Sequence, residues 1–340
     1  MNAFRIGSQD VSPGSRVTID LPVSALSNHT RVVLPVHVLH GEQAGPVLFI
    51  SGVIHGDEIQ GVEIIRRLLV HPALNTIKGT LLAVPIVNSF GFINHTRYMP
   101  DRRDLNRSFP GSDRGSLASL VADIFFREVV LRSQYGIDLH TAALHRTNLP
   151  QVRIAAGDKG LLELAEAFAP PVILVSKLRE KSLRLSASEA GVKVLLYEGG
   201  EALRFDESAI DMGVKGTIRV MEAIGMIDPA QRSKPRAGTV FSNASSWVRA
   251  PEGGILHTIR RAGDRVGKQE VIGVVADPLG TMSVPVVSEY DGTIIGRTNL
   301  PLVNRGDALF HIAKTKPQIG AKGEPESDAM TAPFDEDEII

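Results

Sequence analysis

The chain of 340 residues contains no cysteine. Disulfides, thiolate metal sites and a cysteine nucleophile are thereby excluded, and any metal must be held by His, Asp or Glu. Aromatic residues make up only 5% of the sequence, too few for the stacking platform that single-stranded nucleic acid requires. Neither sign of charge dominates: 37 Lys and Arg stand against 38 Asp and Glu, a net charge of -1. That balance lacks the basic footprint of a nucleic-acid binder. No apolar run approaches the roughly 18–20 residues of a membrane span. The stretch from Met1 to Gly7 also lacks the apolar core of a signal peptide. The expectation is a soluble, cytoplasmic protein with no membrane or nucleic-acid partner.

A hydrophobic content of 43% is enough for a large core. The length predicts two domains, or one large domain with an appendage. The most informative stretch runs from Leu48 to Val62. An apolar strand, Pro46 to Ile50, breaks at Ser51-Gly52, and His55 and Glu58 follow at once. Ile59, Val62, Ile65, Leu68 and Leu69 then fall at helical spacing. A His and a Glu three residues apart at a strand-to-helix junction can point into one small volume, where they supply two of the three protein ligands that catalytic zinc commonly uses. The same letters would also suit an acidic first helical turn, Asp57 and Glu58, with an incidental histidine.

The rest of the chain decides between these readings. Gly79 to Val87 is a second apolar strand, so strand, helix and strand form the βαβ pattern of a mostly parallel sheet with helices on its faces. Sites in such sheets gather beyond the carboxyl ends of strands, where His55, Glu58 and Asn88 all fall. Tyr135 to Ala142 is a further strand that brings His140, the third candidate ligand, with Asp138 on the same face to orient its imidazole. Glu198 closes the strand 191–197, and glycines follow it. His37 and His40 read as ordinary strand and turn residues.

Between these elements, residues 88–115 form a long polar segment of the kind that is usually functional or disordered, and its Tyr, Met, Leu and Phe content favours function. It holds four arginines within eleven residues, Arg97, Arg102, Arg103 and Arg107. A guanidinium can clamp a carboxylate or stabilise an oxyanion. Arg102 and Arg103 suit pairing with Asp101 and Asp104, which leaves Arg97 and Arg107 for such roles.

The division of the chain follows from composition. Residues 1–230 read as a catalytic α/β unit, 231–238 as a polar linker, 239–314 as a small β domain, and 315–340 as a disordered acidic tail. The β domain contains a quasi-repeat: Val248 to Leu256 leads to Gly263-Asp264, and Val287 to Ile295 leads to Gly306-Asp307. Two such halves resemble the biotinyl/lipoyl carrier architecture, a barrel-sandwich hybrid. The connection between them, Asp277 to Met282, holds no lysine, so a swinging-arm carrier is not expected.

Four motifs, His55-Gly56-Asp57-Glu58, Asp104-Leu105-Asn106-Arg107, Asp138-Leu139-His140-Thr141 and Glu198-Gly199-Gly200, occur in the order in which they resemble the succinylglutamate desuccinylase/aspartoacylase family, zinc-dependent deacylases distantly related to zinc carboxypeptidases. The resemblance covers about residues 45–200. It implies one zinc ion held by His55, Glu58 and His140, with Glu198 as general base. It implies Asn106 and Arg107 as binders of a substrate carboxylate, and Arg97, from the pair Arg97-Tyr98, as the oxyanion-stabilising residue. The spacing from Arg97 to Asp104 is longer than in aspartoacylase, so Arg102 stays open for that role. Arg153 is the candidate for the family's side-chain-specificity arginine. The implied activity is removal of an acyl group from an N-acyl amino acid or similar small amide. A metallocarboxypeptidase acting on short peptides is the alternative, and a non-catalytic binding protein is a third reading. Cobalt, manganese or nickel would also suit the ligand set, and oligomeric state stays open.

Overall fold

The computed structural model describes residues 2–25, 27–229 and 238–315. β1 (Phe4–Ile6) and β2 (Gln9–Val11) pair as an antiparallel hairpin. β3 (Ser15–Ala25) and β4 (Arg31–His40) form a long antiparallel ribbon. β5 (Gln43–Gly52), α1 (Gln60–Leu69) and β6 (Lys78–Val84) make the expected βαβ unit, with β5 and β6 parallel. α2 (Ser89–Asn94), α3 (Leu117–Glu128), β7 (Tyr135–Ala142), β8 (Arg146–Ile154) and α4 (Lys159–Phe168) follow. Then come β9 (Val172–Val175), α5 (Leu183–Glu189), β10 (Lys193–Glu201) and α6 (Glu207–Ala223). The later strands are β11 (Val240–Ser242), β12 (Ser245–Arg249), β13 (Gly254–Thr258), β14 (Arg265–Val266) and β15 (Val271–Ala276). β16 (Ser283–Val287), β17 (Gly292–Thr298), β18 (Leu302–Val303) and β19 (Ala308–Lys314) complete the set.

The main sheet is mixed and runs β12-β19-β17-β8-β10-β7-β5-β6-β4-β3. Its centre, β10-β7-β5-β6, is parallel, so the carboxyl ends of β5, β7 and β10 open on one edge. Side chains alternate across a strand, and β5 shows the consequence. Leu48 and Ile50 enter the core shared with α1, α4 and α6, whereas Phe49 enters the core shared with α3 and α5. Helices thus cover both faces, as an α/β fold requires. Among the described residues no helix is long and apolar enough to cross a membrane.

After residue 238, β11 pairs in parallel with β9, and the remaining strands are antiparallel. β16-β15-β13-β18 form a separate four-stranded sheet. The quasi-repeat is visible in its turns: Asp264 accepts from Arg261 N at 2.8 Å, and Asp307 accepts from Asn304 N at 2.7 Å. β12, β19 and β17 do something the pattern alone does not predict. β17 pairs with β8, Gly296 opposite Asn148, and so these strands continue the central sheet. Of the expected linker, 231–237 lie outside the described residues, as do 316–340 of the expected tail.

Candidate metal centre

The loop after β5 is shaped by backbone geometry. Val53 adopts φ 56, a left-handed conformation that β-branched residues rarely take. The carbonyls on either side of this kink are held: Gly52 O accepts from Val87 N at 3.1 Å and Val53 O from Asn88 N at 2.8 Å. Asn88 also caps α2, its Oδ1 accepting from Gly91 N at 2.8 Å. Gly56 sits so close to α2 that a Cβ there would lie 2.1 Å from the carbonyl carbon of Gly91. The kinked loop is therefore pressed flat against its neighbour, and His55 and Glu58 turn inward. Glu58 precedes the helix, which begins at Gln60 and has Glu63 as its only first-turn acid. The first-turn explanation for Asp57 and Glu58 does not hold.

His55, Glu58 and His140 meet at the ends of β5 and β7. One ligand atom from each lies within 4.8 Å of the others. His55 Nδ1 is 2.7 Å from Glu58 Oε1, and His140 Nδ1 is 2.8 Å from Glu58 Oε2. All three residues are buried. The outer imidazole nitrogens also have partners. His140 Nε2 lies 2.8 Å from Asp138 Oδ2, whose other oxygen accepts from Ser51 Oγ at 2.8 Å. His55 Nε2 lies 3.2 Å from Asp104 Oδ1. Carboxylates behind both rings fix the tautomer and leave the two Nδ1 atoms turned toward Glu58, the arrangement metal-binding histidines use.

Charge points the same way. Burial alone would raise the Glu58 pKa, yet the two imidazoles hold it well below the ordinary carboxylate range. Burial would lower the His140 pKa, yet Asp138 and Glu58 push it well above its usual value. His55 is raised too: burial and Arg97 oppose, Glu58 and Asp104 prevail. Glu58, Asp104 and Asp138 surround the two imidazoles, with Arg97 paired to Glu58 and Asp104, and with Arg107 and Arg184 also acting on Asp104 and Asp138. Two imidazole nitrogens, a carboxylate oxygen and this field fit an ion such as zinc.

The other expected residues are placed unequally. Glu198 ends up opposite His140 in register on β10 and accepts from Asn148 Nδ2 at 3.0 Å. The bulge after it is clamped by buried Gln60, whose Nε2 donates to Gly199 O at 2.8 Å. Arg97 donates to Glu58 at 3.3 Å and to Asp104 at 3.0 Å, whereas Arg102 is exposed on the loop and Arg103 pairs with Asp101. Asn106, Arg107 and Arg153 line the same cleft, a cavity of about 110 Å³ beside the cluster. Asn106 Oδ1 accepts from Leu183 N at 3.0 Å, which leaves its Nδ2 as the donor for a ligand.

Sequence reasoning missed α5 and the residue it carries. Arg184 lines the cleft, and burial, helped by nearby Arg153, pulls its pKa down to about 10. Its Nη1 is buried without a hydrogen-bond partner. The only signal was the N-cap Ser182 ahead of two leucines. Sequence reasoning also did not bring Arg146, Trp247 and His311 to the cleft, which all three line.

Comparison with known proteins follows this geometry. Residues 44–224 match the family model described as the succinylglutamate desuccinylase/aspartoacylase catalytic domain. The N-alpha-acetyl-L-2,4-diaminobutyric acid deacetylase of Halomonas elongata is 29% identical over 303 residues, covering 85% of this chain and 88% of that protein. The crystal structure of a succinylglutamate desuccinylase/aspartoacylase from Rhodobacter sphaeroides has a TM-score of 0.77 at 24% identity and covers 89% of this chain and 96% of that one. The product-bound ectoine utilization protein EutE (DoeB) from Ruegeria pomeroyi has a TM-score of 0.78 at 22% identity, covering 88% and 95%. At these identities the two structures speak for the fold.

Proposed function

The chain belongs to the succinylglutamate desuccinylase/aspartoacylase family of amide-bond hydrolases, and from that premise we propose that it is a zinc-dependent deacylase acting on an N-acyl amino acid or a similar small amide. The observation that carries the proposal is the convergence of His55, Glu58 and His140, with a carboxylate behind each imidazole and Glu198 alongside. The similarity to a deacetylase named for N-alpha-acetyl-L-2,4-diaminobutyric acid supports a small acylated amino acid as substrate. Trp247 and His311 wall the cleft on one side, which supports a small substrate over a peptide.

His55, Glu58 and His140 would hold one zinc ion per chain. Zinc, when bound, supplies Lewis acidity that ionises water near neutral pH and polarises an amide carbonyl. Glu198, steadied by Asn148, takes a proton on its carboxylate and delivers it to the leaving amine. Arg97 stabilises the developing oxyanion, an effect whose loss typically costs on the order of 10²–10³ in rate. Asn106 and Arg107 grip the carboxylate of the amino acid, and Arg153 stands further along the cleft for its side chain. The expected setting is the cytoplasm.

The test is metal analysis followed by hydrolysis of a panel of N-acyl amino acids and short peptides, with and without chelator. Glu198→Gln should keep its metal and lose roughly 10²–10⁴ in kcat. Undiminished turnover after chelation, or in Glu198→Gln, would overturn the mechanism.

A further inference from the structure

A second cavity lies behind the cleft, against the same face of the sheet. Alternate residues of β10 share that face. Leu196 and Glu198 line the cleft, and Val194, two residues earlier, lines the second cavity. α5 packs over this face and sets Arg184 and Ser188 one helical turn apart, both along the second cavity. Among the described residues Arg184 alone lines both spaces. The second cavity opens to solvent beside Ser188 and Gly191, which are exposed, and runs inward to Arg184.

Its lining is of two kinds. Leu161, Leu178, Val192 and Val194 make an apolar wall. Arg184, Lys193 and Ser188 supply hydrogen-bond donors, and Asp158 is the one acid along it. Asp158 is already engaged: its Oδ1 caps α4 by accepting from Leu161 N at 3.1 Å. Lys193 Nζ stands 4.0 Å from the same oxygen, too far for a hydrogen bond. Arg184 Nη2 donates to Ser176 Oγ at 3.2 Å and to Lys177 O at 3.5 Å. Its Nη1 is buried and has no acceptor, which is unfavourable until one arrives. An anionic head with a short apolar tail meets both kinds of lining, whereas an amine brings only more donors. Arg184 also carries charge between the two spaces. Burial disfavours its cation, as do Arg153 and Arg179, while Glu198 and Asp138 in the cleft favour it.

We propose that the second cavity binds a short-chain carboxylate, whose head supplies the acceptor that Arg184 Nη1 lacks beside the Lys193 ammonium, and whose tail lies on the apolar wall. Occupancy reaches the cleft through Arg184, because a carboxylate paired with that guanidinium weakens its pull on Glu198. The source of the ligand rests on the deacylase reading above: water cleaves the amide C–N bond to give a free amine and a carboxylate, so the enzyme's own acid product is of the class this cavity takes. The cavity is then a feedback site.

The zinc-loaded full-length protein, labelled with nitrogen-15, is titrated with sodium acetate and followed by its amide signals. Those of Ser188, Gly191 and Val192 report on the cavity, and those of Thr141 and Ala142 report separately on the cleft. Saturable shifts are expected at the first set, and sodium chloride at the same ionic strength should not reproduce them. Lys193→Met should weaken acetate binding there about fivefold, the scale of a partly exposed charge pair. Ala155→Leu, which fills the cavity, should abolish it. Absent shifts, equal shifts with chloride, or unaltered affinity in both variants would overturn the site; the unmodified protein alone decides the first two, whatever the variants' stability. In hydrolysis assays acetate should lower kcat as well as alter KM, and Lys193→Met should relieve that inhibition with uninhibited turnover unchanged. Purely competitive inhibition, the same in Lys193→Met, would overturn the feedback role. Acetate binding at the cavity without turnover of any N-acyl amino acid leaves the site standing and removes the deacylase reading; turnover without such binding does the reverse.

Discussion

Asp138 offers the sharpest probe of the candidate metal centre, because its hydrogen bond into the cluster is the one to His140. Its carboxylate is 2.8 Å from His140 Nε2 and is buried, 1% exposed. Partners of this kind typically contribute 10–100-fold to metal affinity, about 1.4–2.8 kcal/mol at 1.4 kcal/mol per factor of ten. The two obvious substitutions should divide that range. Asp138→Asn keeps an acceptor oxygen but drops the charge, so zinc affinity should fall about tenfold. Asp138→Ala removes the carboxylate altogether, and the loss should approach a hundredfold. Ser51→Ala removes only the 2.8 Å bond that aims the carboxylate, and a loss of a few-fold is expected, not additive with Asp138→Ala, since both act through one group. The assay is competition for zinc against a chromophoric chelator, with thermal melts of the zinc-saturated proteins as a folding control. If Asp138→Ala binds zinc as tightly as the unmodified protein, the carboxylate does not tune His140, and the ligand assignment loses its main support.

Other expectations follow from the same geometry. Arg107→Ala should raise KM at least tenfold for carboxylate-bearing amides with kcat little changed; a kcat loss at constant KM would place Arg107 in the chemistry instead. Chelation should lower the melting temperature by several degrees and zinc should restore it, since a ligand at a thousandfold over its Kd adds about 4 kcal/mol; a melt indifferent to zinc would argue against a bound ion. On the far side of α6, Gly216→Ala should gain about 1 kcal/mol of helix propensity but lose more. Its Cβ would lie 2.2 Å from Phe168 Cε1 in the core, and overpacking of this kind costs about 1–3 kcal/mol. Chemical denaturation should show a net loss, and a stabilised variant would refute the argument.

Much of the catalytic half was legible in the chain. β5, α1 and β6 announce themselves because a buried parallel strand is a continuous apolar run and an amphipathic helix repeats every three to four residues. His55, Glu58, His140 and Glu198 were readable because each sits where such a run stops. A strand's end is a local event, and the βαβ rule says that parallel ends share an edge.

Other features had no local signature. Arg97 and Arg102 lie in one aperiodic loop, and only the fold shows Arg97 against Glu58 and Arg102 exposed. Arg184 rides a helix of seven residues, too short for a period to emerge. The largest decision of the tertiary structure is the pairing of Gly296 with Asn148, which carries Trp247 and His311 to the cleft. Periodicity reports which residues want burial, and it is silent on which strand they are buried beside. That choice is made by the packing of distant segments, and here it turned an expected appendage into a wall of the site.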